Sequence, residues 1–184
     1  MNLSVLPPNL PIPEDDGYCN HLLEKTIPDI SLPNQDGIYL KLRRDVSFRI
    51  ILYCYPMTGK PGKSLPPNWD NIPGARGCTP QACSFRDHYD DLVKCNAIPI
   101  GLSTQLVPEI KEMVTRLHIP YDVVSDSELK FSVLMKLPTF KIKNFVFIKR
   151  LTVIIERSVI KKVFYPIFPP DLHIYDVCDW LKKN

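Results

Sequence analysis

The segment Gly77-Cys78-Thr79-Pro80-Gln81-Ala82-Cys83 places two thiols where a glycine- and proline-rich stretch runs into an amphipathic helix. Pro80 suits a first helical position, because its missing N–H would be unpaired there anyway. Thr79, just ahead of it, suits the N-cap. Ala82, Phe85, Tyr89, Leu92 and Val93 recur at helical spacing and predict one buried face on a helix from Pro80 to about Lys94. Cys78 then lies at the positive end of a helix dipole, beside backbone donors with no intrahelical partner. That setting favours a thiolate, so the stretch points to sulfur chemistry.

The spacing of the second thiol narrows the chemistry. Five residues along a helix rise about 7.5 Å and turn about 140°, which puts the two Cα atoms about 8.5 Å apart. A disulfide needs Cα atoms closer than about 7 Å. Cys78 and Cys83 therefore cannot bridge while the first helical turns are intact, and bridging would require the helix start to unwind. Two incompatible shapes suit a cycle better than a permanent staple.

Outward from this segment, element types alternate. Phe48 to Tyr55 reads as a buried strand, Ile98 to Leu102 as a second, and Pro108 to about His118 as a helix with Ile110, Met113, Val114 and Leu117 on one face. Ser127 to about Met135 is a weaker helical pattern. Arg150 to Glu156 and Val159 to Phe164 read as a hairpin about Arg157-Ser158, and Asp171 to Lys183 as a closing helix with Lys182 and Lys183 at its negative end. This order predicts an α/β fold, a mixed central sheet with helices on both faces. The expected division is an extended N-terminal arm over 1–24 and one domain over 25–184. The connection at about 57–77 is unusually long and holds four of the seven glycines. Loops of that length are commonly functional, and Leu65 and Trp69 predict apolar anchorage for this one.

Composition narrows the setting. A chain of 184 residues with 45% hydrophobic content supports one substantial core, and a net charge of +3 with interspersed signs predicts neither a nucleic-acid nor a membrane surface. No stretch approaches the roughly 18 apolar residues that span a bilayer. The proline-broken start from Met1 to Gly17 lacks the basic opening of a secretory signal. Of the six cysteines, Cys54, Cys95 and Cys178 fit packing positions, and Cys19 in the arm carries no assignment. A reducing, cytoplasmic compartment is the expectation. His21, His88, His118 and His173 do not fall at metal-ligand spacing with the thiols, and no glycine pattern marks a nucleotide site, so neither metal nor cofactor is expected.

The run Gly77 to Asp87, with Cys-Thr, a second cysteine five residues on, then Phe-Arg-Asp, resembles the active-site segment of Q-type peroxiredoxins, the bacterioferritin-comigratory proteins. Ile27-Pro28-Asp29 to Gly37, Tyr53 to Pro56, and Gly101-Leu102-Ser103 are similar to further family segments, so the likeness covers about residues 25 to 183. The resemblance implies a thioredoxin-like fold and a peroxidase acting on hydrogen peroxide and organic hydroperoxides. It implies Cys78 as the peroxidatic thiolate, Cys83 as the resolving thiol of an intramolecular disulfide, and a thioredoxin-like reductant. Arg150 matches the family arginine that stabilises thiolate and peroxide. The family threonine three positions before the cysteine is Ala75 here. Thr58 is the candidate to return to the pocket in its place, with Arg76 as a second possible ligand. A monomer or weak homodimer is expected.

A different class of function uses the same thiols. In a redox-responsive binding protein, the Cys78–Cys83 bridge would unwind a helix and alter a partner surface without turnover. A general disulfide reductase fits less well, because its thiols are normally two residues apart.

Overall fold

The computed structural model describes residues 5–44 and 46–184; the first four residues of the expected arm lie outside them. In chain order the strands and helices are β1 (Ser31–Pro33), β2 (Tyr39–Lys41), β3 (Arg49–Cys54), α1 (Cys78–Asp87), α2 (Tyr89–Lys94), β4 (Ala97–Ser103), α3 (Val107–Leu117), β5 (Val123–Ser125), α4 (Lys130–Met135), β6 (Thr139–Ile142), β7 (Phe145–Ile148), β8 (Leu151–Glu156), β9 (Val159–Phe164) and α5 (His173–Lys183).

The apolar run of β3 makes it the middle of a five-stranded sheet ordered β5-β4-β3-β8-β9. It pairs parallel with β4 and antiparallel with β8, and β9 completes the expected hairpin. Arg157 and Ser158 both take positive φ in its turn, a backbone whose twist matches the flanking strands. Strand side chains alternate between faces, and so do the two main cores. Ile50, Leu52 and Cys54 pack with Phe131 and Met135 of α4 and with Leu22 and Ile27. Ile51, Tyr53 and Tyr55 pack with residues of α1, α3 and α5. The mixed sheet therefore carries helices on both faces, as the order of elements predicts. Gly101 sits opposite Tyr53 in the ladder, and a Cβ there would meet the Tyr53 hydroxyl at 2.8 Å.

Several features differ from the sequence expectation. The helix expected from Pro80 to Lys94 is two helices, divided at His88 (φ −106°, ψ 13°). Val93, expected on the buried face, is turned outward and 48% exposed, whereas Ala82, Phe85 and Leu92 are buried. The hairpins β1–β2 and β6–β7 and the short β5 were not foreseen. The second hairpin turns at Lys143-Asn144, with Lys143 at φ 52°, without the glycine that usually marks such a turn. Cys19 is not on a loose arm: it packs into the core, and burial pushes its thiol up to about 12.

The weak helical pattern near Met135 becomes α4 because the buried Asp126 holds its start. Its carboxylate accepts from Phe131 N (3.0 Å), Ser132 N (2.8 Å) and Ser132 Oγ (2.5 Å). Hydrogen bonds to a charged group are worth more than neutral ones. Asp126→Ala is therefore expected to lower unfolding stability by about 3 kcal/mol, read from urea denaturation; an unchanged midpoint would contradict this role.

Candidate active site

Cys78 opens α1 because of the residue before it. Gly77 adopts φ 101°, a left-handed conformation suited to glycine, and its carbonyl accepts the first helical bond from Gln81 N at 3.1 Å. The helix thus starts two residues earlier than the sequence predicts. Gly77 rather than Thr79 is the N-cap, and Pro80 is the third helical residue, where its missing N–H still costs nothing. A side chain at Gly77 would also strike Leu6 at 2.8 Å, and Pro170 even more closely. The arm therefore lies against the segment that carries the cysteine.

Cys78 is only 3% exposed. Its thiol points to the Ala75 carbonyl at 3.5 Å, and Arg150 Nη2 donates to the sulfur at 3.1 Å. The same Nη2 donates to the carbonyls of Arg76 (3.1 Å) and Ala75 (3.3 Å), while Nη1 donates to Gln81 Oε1. Arg150 directly precedes β8 and is itself buried. A guanidinium with fixed, forked donors can hold a sulfur anion and a loop end together, which a flexible ammonium could not do as well. The sequence-selected Cys78 and Arg150 are thus in contact.

Cys83 lies on the same unbroken helix and is half-buried. Burial pushes its thiol up, against the opposing pull of the Arg86 guanidinium. Both cysteines are thiols here. With α1 continuous between them, helix geometry keeps their Cα atoms about 8.5 Å apart, beyond bridging range. Tyr121 Oη donates to the Ala82 carbonyl at 3.0 Å and Ser84 Oγ to the Asp171 carbonyl at 2.7 Å, so the helix is tied on either side of Cys83.

Thr58 does not join this network. Its hydroxyl donates to Gln105 Oε1 at 3.1 Å, and its backbone N–H donates to the same oxygen at 2.8 Å. Gln105 Nε2 returns a bond to the Thr58 carbonyl at 3.3 Å. The residue fastens the beginning of the long loop to the segment after β4. Arg76 is buried and contributes its carbonyl to Arg150, while its guanidinium reaches Asp70 at 3.3 Å. The loop is ordered by its own core: Trp69, Ala75 and Phe147 are buried together, with Leu65, Ile72 and Phe140 around them. Sequence reasoning found the Trp69 anchor but not its receptor, the β6–β7 hairpin.

The arm and the Arg150 strand meet again at Asp16. Its carboxylate receives Lys149 Nζ at 2.6 Å and Tyr165 Oη at 2.8 Å. A cavity of about 360 Å³ beside them is lined by Pro13, Asp16, Gly74, Phe140, Arg150 and Ile167, among others. Among the described residues, no group of three or more His, Cys, Asp or Glu side chains could hold a metal ion. No described helix is long and apolar enough to cross a membrane.

A thioredoxin-like α/β sheet carrying paired cysteines on the helix that follows its central strand defines the class of protein. The AhpC/TSA family model matches residues 72–163. Among curated proteins, peroxiredoxin Bcp of Escherichia coli strain K12 is 27% identical over 161 residues, covering 85% of this chain and 93% of its own. Peroxiredoxin bcp1 of Schizosaccharomyces pombe is 30% identical over 101 residues, 54% of this chain, and the match spans only 44% of that protein's length. The crystal structure of peroxidoxin BcpB from Mycobacterium tuberculosis aligns with a TM-score of 0.71 at 22% identity, over 88% of this chain and 96% of that one, which shows a shared fold. The chain belongs to the AhpC/TSA family.

One neighbour of the site was not singled out from the sequence. His173 is 2% exposed, with Nε2 3.0 Å from Thr152 Oγ1, and its ring lies edge-on to Phe85 and Phe164. Burial, reinforced by the positive charge of Arg150 and opposed by Asp176, lowers its pKa from 6.5 to about 4. The folded protein keeps this imidazole neutral where an unfolded chain would protonate it. Its contribution to stability is therefore full above pH 6.5 and is lost as pH falls towards 4. Replacing it, as in His173→Gln, should flatten the decline of unfolding stability across that window; an identical pH dependence in both proteins would refute this.

Proposed function

We propose that the protein is a thiol-dependent peroxidase with Cys78 as the peroxidatic residue. The observation that carries this reading is the 3.1 Å contact from Arg150 Nη2 to the Cys78 sulfur at the first position of α1. Guanidinium and helix start both favour negative charge on that sulfur. The names of the relatives support the same activity for this chain.

The chemistry runs in three steps. The thiolate attacks the terminal oxygen of a hydroperoxide, an S–O bond forms, and the O–O bond breaks. The leaving oxygen departs with the electron pair and takes a proton, giving water from hydrogen peroxide or an alcohol from an organic hydroperoxide. Cys78 is left as a sulfenic acid. The Cys83 sulfur then attacks the sulfenic sulfur, forms the disulfide and releases water, once α1 has unwound between the two residues. A thioredoxin-like dithiol reduces the disulfide, becomes oxidised itself and restores both thiols. Thr58, fixed on Gln105, has no part in these steps; Arg76 supports them through its carbonyl on Arg150.

The near-complete burial of Cys78 and the alanine at position 75 are the observations that favour the alternative, a redox-responsive binding protein without turnover. Turnover separates the two. With thioredoxin, thioredoxin reductase and NADPH supplied, the wild type should consume peroxide continuously, and Cys78→Ser should consume none. Cys83→Ser should stop after one oxidation, with one oxygen added by mass; recycling by thioredoxin as fast as wild type would remove Cys83 from the cycle. Arg150→Met should slow Cys78 oxidation by about 100-fold, and an unchanged rate would remove the arginine from the site.

A further inference from the structure

Three polar atoms around Cys78 are buried with no hydrogen-bond partner: Tyr55 Oη, Gln81 Nε2 and Arg150 Nε. Tyr55 and Gln81 are both 0% exposed. Native proteins pair nearly all such groups, so an unpaired donor needs a reason. Tyr53 shows how this fold treats a phenol on the same sheet face when its role is packing. Its Oη meets Tyr121 Oη at 3.2 Å, and Tyr121 in turn donates to the Ala82 carbonyl. Two residues further along the same face, Tyr55 has no equivalent.

The strand register places Tyr55 in the site. The β3–β8 ladder pairs Tyr53 with Thr152 and Cys54 with Leu151. One step further, Tyr55 falls opposite Arg150, and facing residues of an antiparallel pair share one side of the sheet. That side is covered by α1, and Tyr55, Cys78 and Ala82 belong to one packed cluster. Gln81 comes from α1 itself, three residues after Cys78 and so on the same helix face. A guanidinium only donates, so the amide atom that meets Arg150 is the Gln81 oxygen. Its NH2 is turned away from the arginine, with its donors unused.

We propose that Tyr55 Oη–H and the Gln81 amide N–H groups bind the two oxygens of the hydroperoxide at Cys78, standing in for the hydroxyl that Ala75 lacks. This assignment rests on the peroxidase reading above. The Arg150 Nη atoms already serve Cys78, Gln81 and two carbonyls, so the peroxide oxygens need further donors. Neutral donors held in a buried site are suited to the charge that develops on the leaving oxygen, because they need no reorganisation when the O–O bond breaks. Burial raises the Tyr55 pKa well above the usual tyrosine value and keeps the phenol in its donor form.

Two reactions of the same sulfur test the assignment. Iodoacetamide alkylation reports the nucleophilicity of Cys78 without a peroxide site; oxidation by hydrogen peroxide requires both. Tyr55→Phe removes one unpaired oxygen, and Gln81→Glu keeps an acceptor for Arg150 while deleting the amide donors. In each variant the ratio of oxidation rate to alkylation rate should fall by about 10-fold or more. The melting temperature of Tyr55→Phe should be no lower than wild type, since no folded-state hydrogen bond is lost. A variant whose ratio matches wild type removes that residue from peroxide binding. Failure of the wild type itself to oxidise faster than an unfolded-peptide thiol would instead overturn the peroxidase reading and this assignment together.

Discussion

Everything at the site is organised by one buried guanidinium. Arg150 stands at the entrance to β8 and reaches two adjoining pieces of chain: the end of the long loop through the Ala75 and Arg76 carbonyls, and α1 through Gln81 and the sulfur of Cys78. A buried charge without such partners would be prohibitively costly, and with them it is held in one geometry. The loop can therefore be long without being loose where it matters. Its far end is fixed by the same group that faces the sulfur, its middle by Trp69, and its beginning by Thr58 on Gln105.

The central architecture is legible in the chain because β3 and α1 each carry a strong pattern. Five residues of β3 in succession, Ile50 to Cys54, are apolar or amphipathic, and Ala82, Phe85 and Leu92 keep helical spacing through the buried face. Cys78 is legible for a different reason, its residue type at a helix start, and Arg150 only through the family resemblance; the structure puts the two in contact. Thr58 misleads because proximity in sequence to Pro56 says nothing about which polar group will be within reach; Gln105, 47 residues away, decides it. The β6–β7 hairpin is hidden by its Lys143-Asn144 turn, which lacks a glycine signal. Cys19 is hidden by proline-rich surroundings that read as an arm, although the short helical turn after it brings Leu22 into the core.

Stability and reactivity pull against each other along α1. The turn between the two cysteines is tied by Tyr121 at Ala82, and just past Cys83 Ser84 is tied to Asp171 and Phe85 stacks on Tyr53 with ring centroids 4.5 Å apart. These contacts hold the reduced arrangement, in which Cys78 faces Arg150. In the proposed cycle, each would have to be given up or rearranged before a bond to Cys83 could form. The resting geometry would thus keep the two sulfurs apart until Cys78 is oxidised in the proposed cycle.

The interruption at His88 sets how far such a rearrangement can spread. Helical order is lost cooperatively along a continuous hydrogen-bonded ladder, but that ladder ends where α1 gives way to α2. The His88 carbonyl opens the second segment by accepting from Asp91 and Leu92, and Leu92 is anchored in the core. Fraying from Cys78, if the proposed disulfide forms, would therefore meet a firebreak after ten residues, leaving the neighbouring strand β4 covered by α2. In the proposed cycle, this confinement would let one segment alternate between two shapes while the remaining layers act as an unmoving chassis.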